Sequence, residues 1–151
     1  MLAVFANNGE DDLNRLIKQI KALDIFLSTR DGINLLTAYR RAANIVAIES
    51  KKDGTTFDVA PDKKLFQIER EKHLSDALAN TSSSLTNFIE DEEFDKAMDA
   101  LAALRASVDS YFEHVTVNDN NPKLRENRLR SLKLIVKTMD MVADFSLIEN
   151  S

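Results

Sequence analysis

Apolar residues recur along the chain at three- and four-residue spacing, which is the period of an amphipathic α-helix. Stripes with this period cover six segments, residues 13–27, 33–51, 62–85, 90–104, 108–115 and 122–143. The second segment is apolar on most sides, so it is expected in the middle of a bundle. The pattern predicts an all-α fold, a helical bundle of about five to six helices.

Polar and chain-breaking residues mark the expected helix ends. Carboxylates at residues 10–12 suit the N-terminus of the first helix, because the helix dipole favours negative charge there. A break is predicted over residues 28–32, and Gly54 is expected to end the second helix. Residues 55–61 form a loop that Phe57 and Val59 are expected to anchor. A bend is possible over residues 77–84, where helix propensity is weaker.

Length and composition describe one ordinary domain, which we expect to occupy residues 1–151. Only 3 Gly and 2 Pro argue against a turn-rich β fold, and the absence of Cys excludes disulfides and cysteine-based zinc sites. The apolar opening followed by Asn7, Asn8 and Gly9 is more typical of a piece of a larger protein than of a natural start. No run is long enough to span a membrane, and the opening is too short for a signal peptide. We therefore expect a soluble, intracellular protein.

Candidate catalytic and metal-binding residues are few. His73 and His114 lie far apart and have no second ligand at suitable spacing, so surface imidazoles are the favoured interpretation. The acidic run at residues 90–93 lacks the spacing of a calcium loop and suits a helix N-terminus instead. No glycine-rich phosphate loop is present. The sequence predicts no catalytic site, no metal site and no cofactor in this segment.

The net charge of −5 conceals a basic segment near the C-terminus. Between Lys123 and Lys137 there are six basic residues against the single acid Glu126. Arg130, Lys133 and Lys137 share one helix face. Charge alone favours a solvated amphipathic helix over a strip that follows RNA phosphates.

Arginines within apolar helix faces are a stronger indication of binding. Arg125 and Arg128 fall on the apolar side of the last helix, so each either pairs with a carboxylate, such as Asp109 or Glu113, or projects towards a ligand. On the second helix, Arg41 and Asn44 point to one side. Either Asn44 caps or bridges a neighbouring turn while Arg41 faces solvent, or both reach a nucleotide. The pattern by itself does not decide between these two interpretations.

Four sequence blocks resemble the beta subunit of bacterial glycyl-tRNA synthetase. The first spans residues 39–45 (Tyr-Arg-Arg-Ala-Ala-Asn-Ile), and the second spans residues 103–117, with Leu-Arg-Ala-Ser-Val-Asp at residues 104–109. The third is Leu-Arg-Glu-Asn-Arg-Leu at residues 124–129, and the fourth is Val-Ala-Asp-Phe-Ser at residues 142–146. Tyr111 stands where the family usually has Phe, and Thr116 stands where it usually has Met. Both departures are conservative in shape or lie at surface positions.

The resemblance implies the C-terminal α-helical anticodon-binding domain that is shared with arginyl-type (class Ia) synthetases and named after a D-A-L-R motif. It implies a cytoplasmic tetramer of two alpha and two beta subunits that joins glycine to its tRNA using ATP. In that family the alpha subunit holds the aminoacylation site, so this segment would belong to a ligase without containing the chemistry. The expected partners are the anticodon region of glycine tRNA and, through the longer chain, the alpha subunit, with no membrane. The expected tRNA-binding residues are Arg41, Asn44, Arg125, Arg128, Arg130 and Lys133.

A second hypothesis from another class of function is a helical protein–protein adaptor in which these arginines only form internal ion pairs. A continuous positive strip that joins the second helix to the last would support RNA binding. Basic residues that all pair with the acids of residues 61–121 would support the adaptor. A self-standing enzyme is disfavoured, because no nucleophile–base pair or metal set is visible.

Overall fold

The computed structural model describes residues 13–148, and within them it is all-helical, as predicted. Six α-helices occupy this part of the chain: α1 Leu13–Ser28, α2 Arg30–Asp53, α3 Glu69–Glu90, α4 Phe94–Ala102, α5 Arg105–His114 and α6 Pro122–Asp140. Two short 3-10 turns, Lys63–Leu65 and Phe145–Leu147, precede α3 and follow α6. The predicted acidic start at residues 10–12 lies outside the described residues.

Helix α2 is central, because it packs against α1, α4, α5 and α6, most extensively against α6. Helix α3 closes the other side against α4, α5 and α6. The predicted apolar faces form the core, whose largest fully buried side chains include Leu23, Leu35, Leu74, Leu101 and Leu132. The helical period therefore identified most of the inward residues, whereas Leu13 and Ile17 of the stripe predicted for α1 are exposed.

The predicted break at residues 28–32 is much shorter in the structure. Only Thr29 separates α1 from α2, and its hydroxyl caps α2 by accepting a hydrogen bond from the Gly32 amide. Gly32 is buried in the first turn of α2, so it lies inside the helix and does not end one. Its role is to permit a close approach to the last turn of α1.

The start of α3 also differs from the prediction. Residues 63–65 form a 3-10 turn, and α3 begins at Glu69 because Glu71 accepts hydrogen bonds from the amides of Gln67 and Ile68. The helix then continues without interruption through residues 77–84.

Two further boundaries and one loop anchor differ from expectation. Helix α4 begins at Phe94, because residues 91–93 form a turn in which Glu92 has φ of 56°. In the loop after α2, Phe57 is 3% exposed and anchors the loop as expected, whereas Val59 is 64% exposed and does not. Helix α6 ends at Asp140, before the predicted residue 143. Val142, Ala143 and Phe145, which follow it, are all buried.

An aromatic cluster fixes the C-terminal turn against α1 and α2. The ring of Phe145 lies 6.3 Å from Phe26 and 5.7 Å from Tyr39, centroid to centroid, in edge and tilted arrangements that aromatic pairs favour. The Tyr39 hydroxyl donates a 2.8 Å hydrogen bond to Asp140 at the end of α6. This cluster joins the C-terminal turn and the ends of α1 and α6 to the central helix α2.

Both tyrosines of the chain should resist ionisation while the protein is folded. Burial, followed by the hydrogen bond to Asp140, raises the pKa of Tyr39, and burial, followed by the charge of Glu71, raises the pKa of Tyr111. A native-state absorbance titration should show no tyrosinate near pH ~10, while the protein in guanidinium should titrate there. Because the folded-state pKa values are raised, the stability from these groups is complete below about pH 10 and is lost as the pH rises above it. A tyrosinate transition of the native protein near the ordinary tyrosine pKa would contradict the assignment. So would a transition of the unfolded protein whose amplitude Tyr39→Phe leaves unchanged.

Candidate nucleic-acid interface

The outward side of α2 is a basic surface without carboxylates, which we call the α2 outer face. It extends for roughly 30 Å, at 1.5 Å per residue. Its residues are Arg30, Ile33, Thr37, Arg40, Arg41, Asn44, Ile48 and Lys51. Nearly all of these side chains are exposed, and Ile33 and Ile48 are each 53% exposed.

The acids of α2 all lie beside this face and pair with neighbouring helices. Asp31 forms a 2.9 Å ion pair with Arg105 of α5, and Glu49 and Asp53 both pair with Arg125 of α6. These acids therefore neutralise little of the positive charge on the α2 outer face. Within residues 13–148, Arg30, Arg41 and Lys51 make no ion pair.

Arg40 has a different environment from the other cations of the α2 outer face. Its guanidinium donates a 2.6 Å hydrogen bond to the Ile148 carbonyl and so helps to hold the C-terminal turn. This contact fixes the position of the Arg40 side chain.

Arg41 is held by an aromatic ring. Its guanidinium carbon lies 4.5 Å from the centroid of the Phe112 ring on α5, a cation–π contact. Its N–H groups donate to no acceptor within the described part of the chain. Arg15 offers a contrast, because it lies over Phe94 but also bonds the Ile89 carbonyl and lies near Glu92. Arg41 thus combines an ordered position with unused donors.

Asn44 of α2 and Lys133 of α6 each line a depression beside α2. Asn44 is exposed beside a depression that Tyr39, Arg40 and Ser146 also line. Lys133 reaches a small groove of about 190 Å³ between α2 and α6, next to Ala43 and Val46. Lys133 of the last helix therefore lies in a groove whose lining includes no residue of the α2 outer face.

The basic stripe of α6 does form one face, as the spacing predicted, but neighbouring acids partly neutralise it. Arg130 pairs with Glu126 at 2.8 Å, and Asp58 lies 3.8 Å from Lys133 and 3.6 Å from Lys137. A hydrogen bond from Thr56, together with the two lysine charges, lowers the pKa of Asp58. This stripe is covered in part by the loop after α2, which the sequence pattern could not show.

Arg128 is a buried structural residue in this conformation. Its side chain is 4% exposed and pairs with Glu71, which is 1% exposed, at 3.0 Å, and with Asp119 at 3.2 Å. It also donates a 2.8 Å hydrogen bond to the Thr116 carbonyl. The guanidinium thus joins α3, α6 and the loop between α5 and α6.

Arg125 forms an ion-pair cluster between α6 and the end of α2. It pairs with Glu49 and Asp53 and also donates to the Asn118 amide oxygen. Its hydrogen bonds to Asp53 and Glu49 raise the pKa of this arginine. Internal pairing was one of the two alternatives for Arg125 and Arg128, but the partners differ from Asp109 and Glu113. The last helix meets α2 and α3 at these positions, and only the packing determines which carboxylates are near.

The six sequence-predicted residues therefore divide into an exposed and a structural group. Arg41 and Asn44 lie on the exposed α2 outer face. Arg125, Arg128 and Arg130 are engaged with acids, and Lys133 is half-buried and lies 3.8 Å from Asp58. Sequence reasoning missed Arg30, Lys51 and Phe112. A helical wheel of α2 would have placed the first two beside Asn44, but the contact with Phe112 joins residues far apart in the chain.

The two histidines lie on the surface. His73 is near Glu69 at 3.5 Å, and His114 contacts the Ser110 carbonyl at 3.0 Å. Among residues 13–148 no group of three or more potential metal ligands comes together. In the same residues, none of the helices has the length and apolarity to cross a membrane.

Comparison with known proteins gives a consistent result. Residues 35–145 match the model of the DALR anticodon binding domain. The chain is 44% identical over 147 residues to the glycine–tRNA ligase beta subunit of Ruegeria sp. (strain TM1040), and 47% identical over 148 residues to that of Rhodospirillum centenum. A third beta subunit, from Cereibacter sphaeroides, is 42% identical over 147 residues. Each comparison covers 97% of this chain but 21% of the relative, so the chain spans about a fifth of their length.

Proposed function

Because the chain belongs to the DALR anticodon-binding domain family, we propose that it binds the anticodon region of glycine tRNA. The observation that supports this most directly is the α2 outer face, which carries cations and an exposed asparagine but no carboxylate. RNA binding needs such a surface, because phosphate neutralisation supplies much of the affinity. A net charge of −5 is compatible with it, since only the local potential matters at the interface.

We assign different roles to the exposed and the structural residues. Arg41 and Asn44 are positioned to contact bases, and Arg30, Lys51 and Lys133 to contact phosphates. Single-stranded bases of a loop suit this arrangement, because they can stack on a guanidinium and expose their edges to amide groups. We further propose that Arg125, Arg128 and Arg130 hold α6 and the loop before it in place for this interface.

The wider context follows from the longer relatives. We propose that this chain is the tRNA-binding part of a glycine–tRNA ligase beta subunit that acts in the cytoplasm with an alpha subunit. Aminoacylation with ATP would take place elsewhere in that assembly. In our proposal, residues 13–148 position the tRNA and supply no catalytic group.

The adaptor hypothesis has partial support in the pairing of Arg125 and Arg128. Two observations favour RNA binding over it. The pairs of Arg125 involve Glu49 and Asp53 of α2, outside the acidic region at residues 61–121. On the α2 outer face, Arg30, Arg41 and Lys51 pair with none of the described acids. These cations have no explanation in an adaptor that uses its arginines only internally.

A titration with two tRNAs tests the proposal. The 151-residue chain is titrated with glycine tRNA and with a tRNA altered only in the anticodon, each at two salt concentrations. We expect tighter binding of the first and a loss of affinity with rising salt for both. Equal affinity for the two tRNAs would exclude anticodon recognition.

A substitution on the α2 outer face separates phosphate contacts from base contacts. Lys51→Ala should weaken binding of both tRNAs equally and reduce the salt slope by about 1. The matched control is Lys72→Ala on α3, an exposed lysine without an ion pair among the described residues, which should leave both quantities unchanged. If both substitutions act alike, the α2 outer face has no particular role.

A further inference from the structure

A groove between α2 and α5 lies beside Arg41 and has a volume of about 420 Å³. This is within the roughly 300–1,000 Å³ of small-ligand pockets. Its α2 wall includes Asn34, Thr37 and Arg41, and its α5 wall includes Phe112 and Glu113. We call it the Arg41–Phe112 groove.

One wall of the groove is a prepared stacking surface. The guanidinium carbon of Arg41 lies 4.5 Å from the centroid of the Phe112 ring, and the Arg41 side chain is exposed, so a ligand can reach it. Guanidinium planes stack on unpaired bases, and an arginine already fixed by a ring loses less conformational freedom when a base arrives. The contact therefore favours a flat, aromatic ligand.

The polar groups of the groove indicate which bases fit. Arg105 pairs with both Asp31 and Asp109 and so partly neutralises these carboxylates. Glu113 makes no hydrogen bond or ion pair within residues 13–148, and although it lines the same groove as Arg41, the two do not pair. An ionised carboxylate only accepts hydrogen bonds, so Glu113 suits the exocyclic amino group of a base and repels a carbonyl oxygen.

We propose that the Arg41–Phe112 groove binds one unpaired nucleobase that carries an exocyclic amino group and discriminates against uracil. The base stacks on Arg41, and its amino group donates to Glu113. This inference rests on the proposed tRNA binding and adds to it a stacking site and a base preference.

Hairpins that reproduce the anticodon arm of glycine tRNA test the inference, with each amino-bearing loop base replaced in turn by uracil. Binding to the 151-residue chain is followed by fluorescence anisotropy, and circular dichroism checks that each variant is folded. For the wild type, uracil at one loop position should cost about tenfold in affinity. Glu113→Gln should reduce that ratio towards one, because an amide can either accept from an amino group or donate to a carbonyl.

Arg41 variants separate stacking from charge. Arg41→Ala should lower affinity for the unaltered hairpin about tenfold, and Arg41→Lys should not restore it, because an ammonium lacks the planar face. Lys72→Ala, which removes the same charge from α3, should change affinity by less than about twofold.

The outcomes distinguish the two proposals. If the wild type does not prefer the anticodon hairpin over one with a scrambled loop, the proposed function fails and the groove assignment fails with it. If the wild type does discriminate, but Glu113→Gln keeps the uracil penalty or Arg41→Lys restores full affinity, only the groove assignment is overturned.

Discussion

Replacing Arg128 with Met should destabilise the protein by about 3–5 kcal/mol, the cost of breaking a buried ion pair from one side. The substitution keeps an unbranched side chain in place of the aliphatic stem of arginine but leaves the Glu71 carboxylate buried, with its 3.0 Å partner removed. Asp119 and the Thr116 carbonyl lose the same guanidinium. Urea denaturation should show a lower midpoint with an unchanged slope, and the thermal midpoint should fall by roughly 10 °C.

Two further variants test whether this loss of stability comes from the buried ion pair. Arg125→Met removes a more exposed pair and should cost only about 1 kcal/mol. Adding Glu71→Gln to Arg128→Met should recover part of the loss, because the amide oxygen can still accept from the Gln67 amide while no unpaired charge remains. Equal destabilisation by the two single arginine substitutions would show that Arg128 is not buried as described.

The second large effect is expected at Gly32, where alanine should destabilise the protein by about 3 kcal/mol through overpacking. A Cβ at this position would lie 1.8 Å from the Phe26 carbonyl oxygen and 2.7 Å from its carbon. Both are backbone atoms of α1, so one helix must move to relieve the clash. Helix propensity alone predicts the opposite, since alanine is favoured over glycine by about 1 kcal/mol within a helix.

Gly54 provides the matched control. It caps the end of α2 with φ of 65°, and an added Cβ would meet nothing within 4 Å. Gly54→Ala should therefore cost only about 1 kcal/mol, from the left-handed backbone conformation. Chemical denaturation of the two variants measures the difference. A Gly32→Ala protein as stable as the wild type would mean that α1 does not approach α2 so closely.

The prediction of function depended on different information from the prediction of fold. Helical periodicity gave the fold class and the buried faces, but charge spacing alone favoured a solvated last helix. The resemblance of four sequence blocks gave the family, which the match over residues 35–145 supports. The individual RNA contacts could not follow from either, because exposure and ion pairing are properties of the packed molecule.

Local sequence determined the features that depend on one segment at a time. The direction of each side chain about its own helix axis follows from 3.6 residues per turn, so Leu129, Leu132 and Met139 could be placed in the core from spacing alone. The start of α6, with Asn121 as its N-cap and Pro122 in its first turn, follows from the same short-range chemistry.

Only the tertiary structure decided which side chains meet across helices. It paired Arg125 with acids of α2, buried Arg128 against Glu71, and left Arg41 on Phe112 with its donors unused. The physical reason is that the helical period fixes an angle about one axis, whereas an ion pair or a cation–π contact depends on how two axes are placed. That placement results from the packing of the whole core, so no single segment contains it.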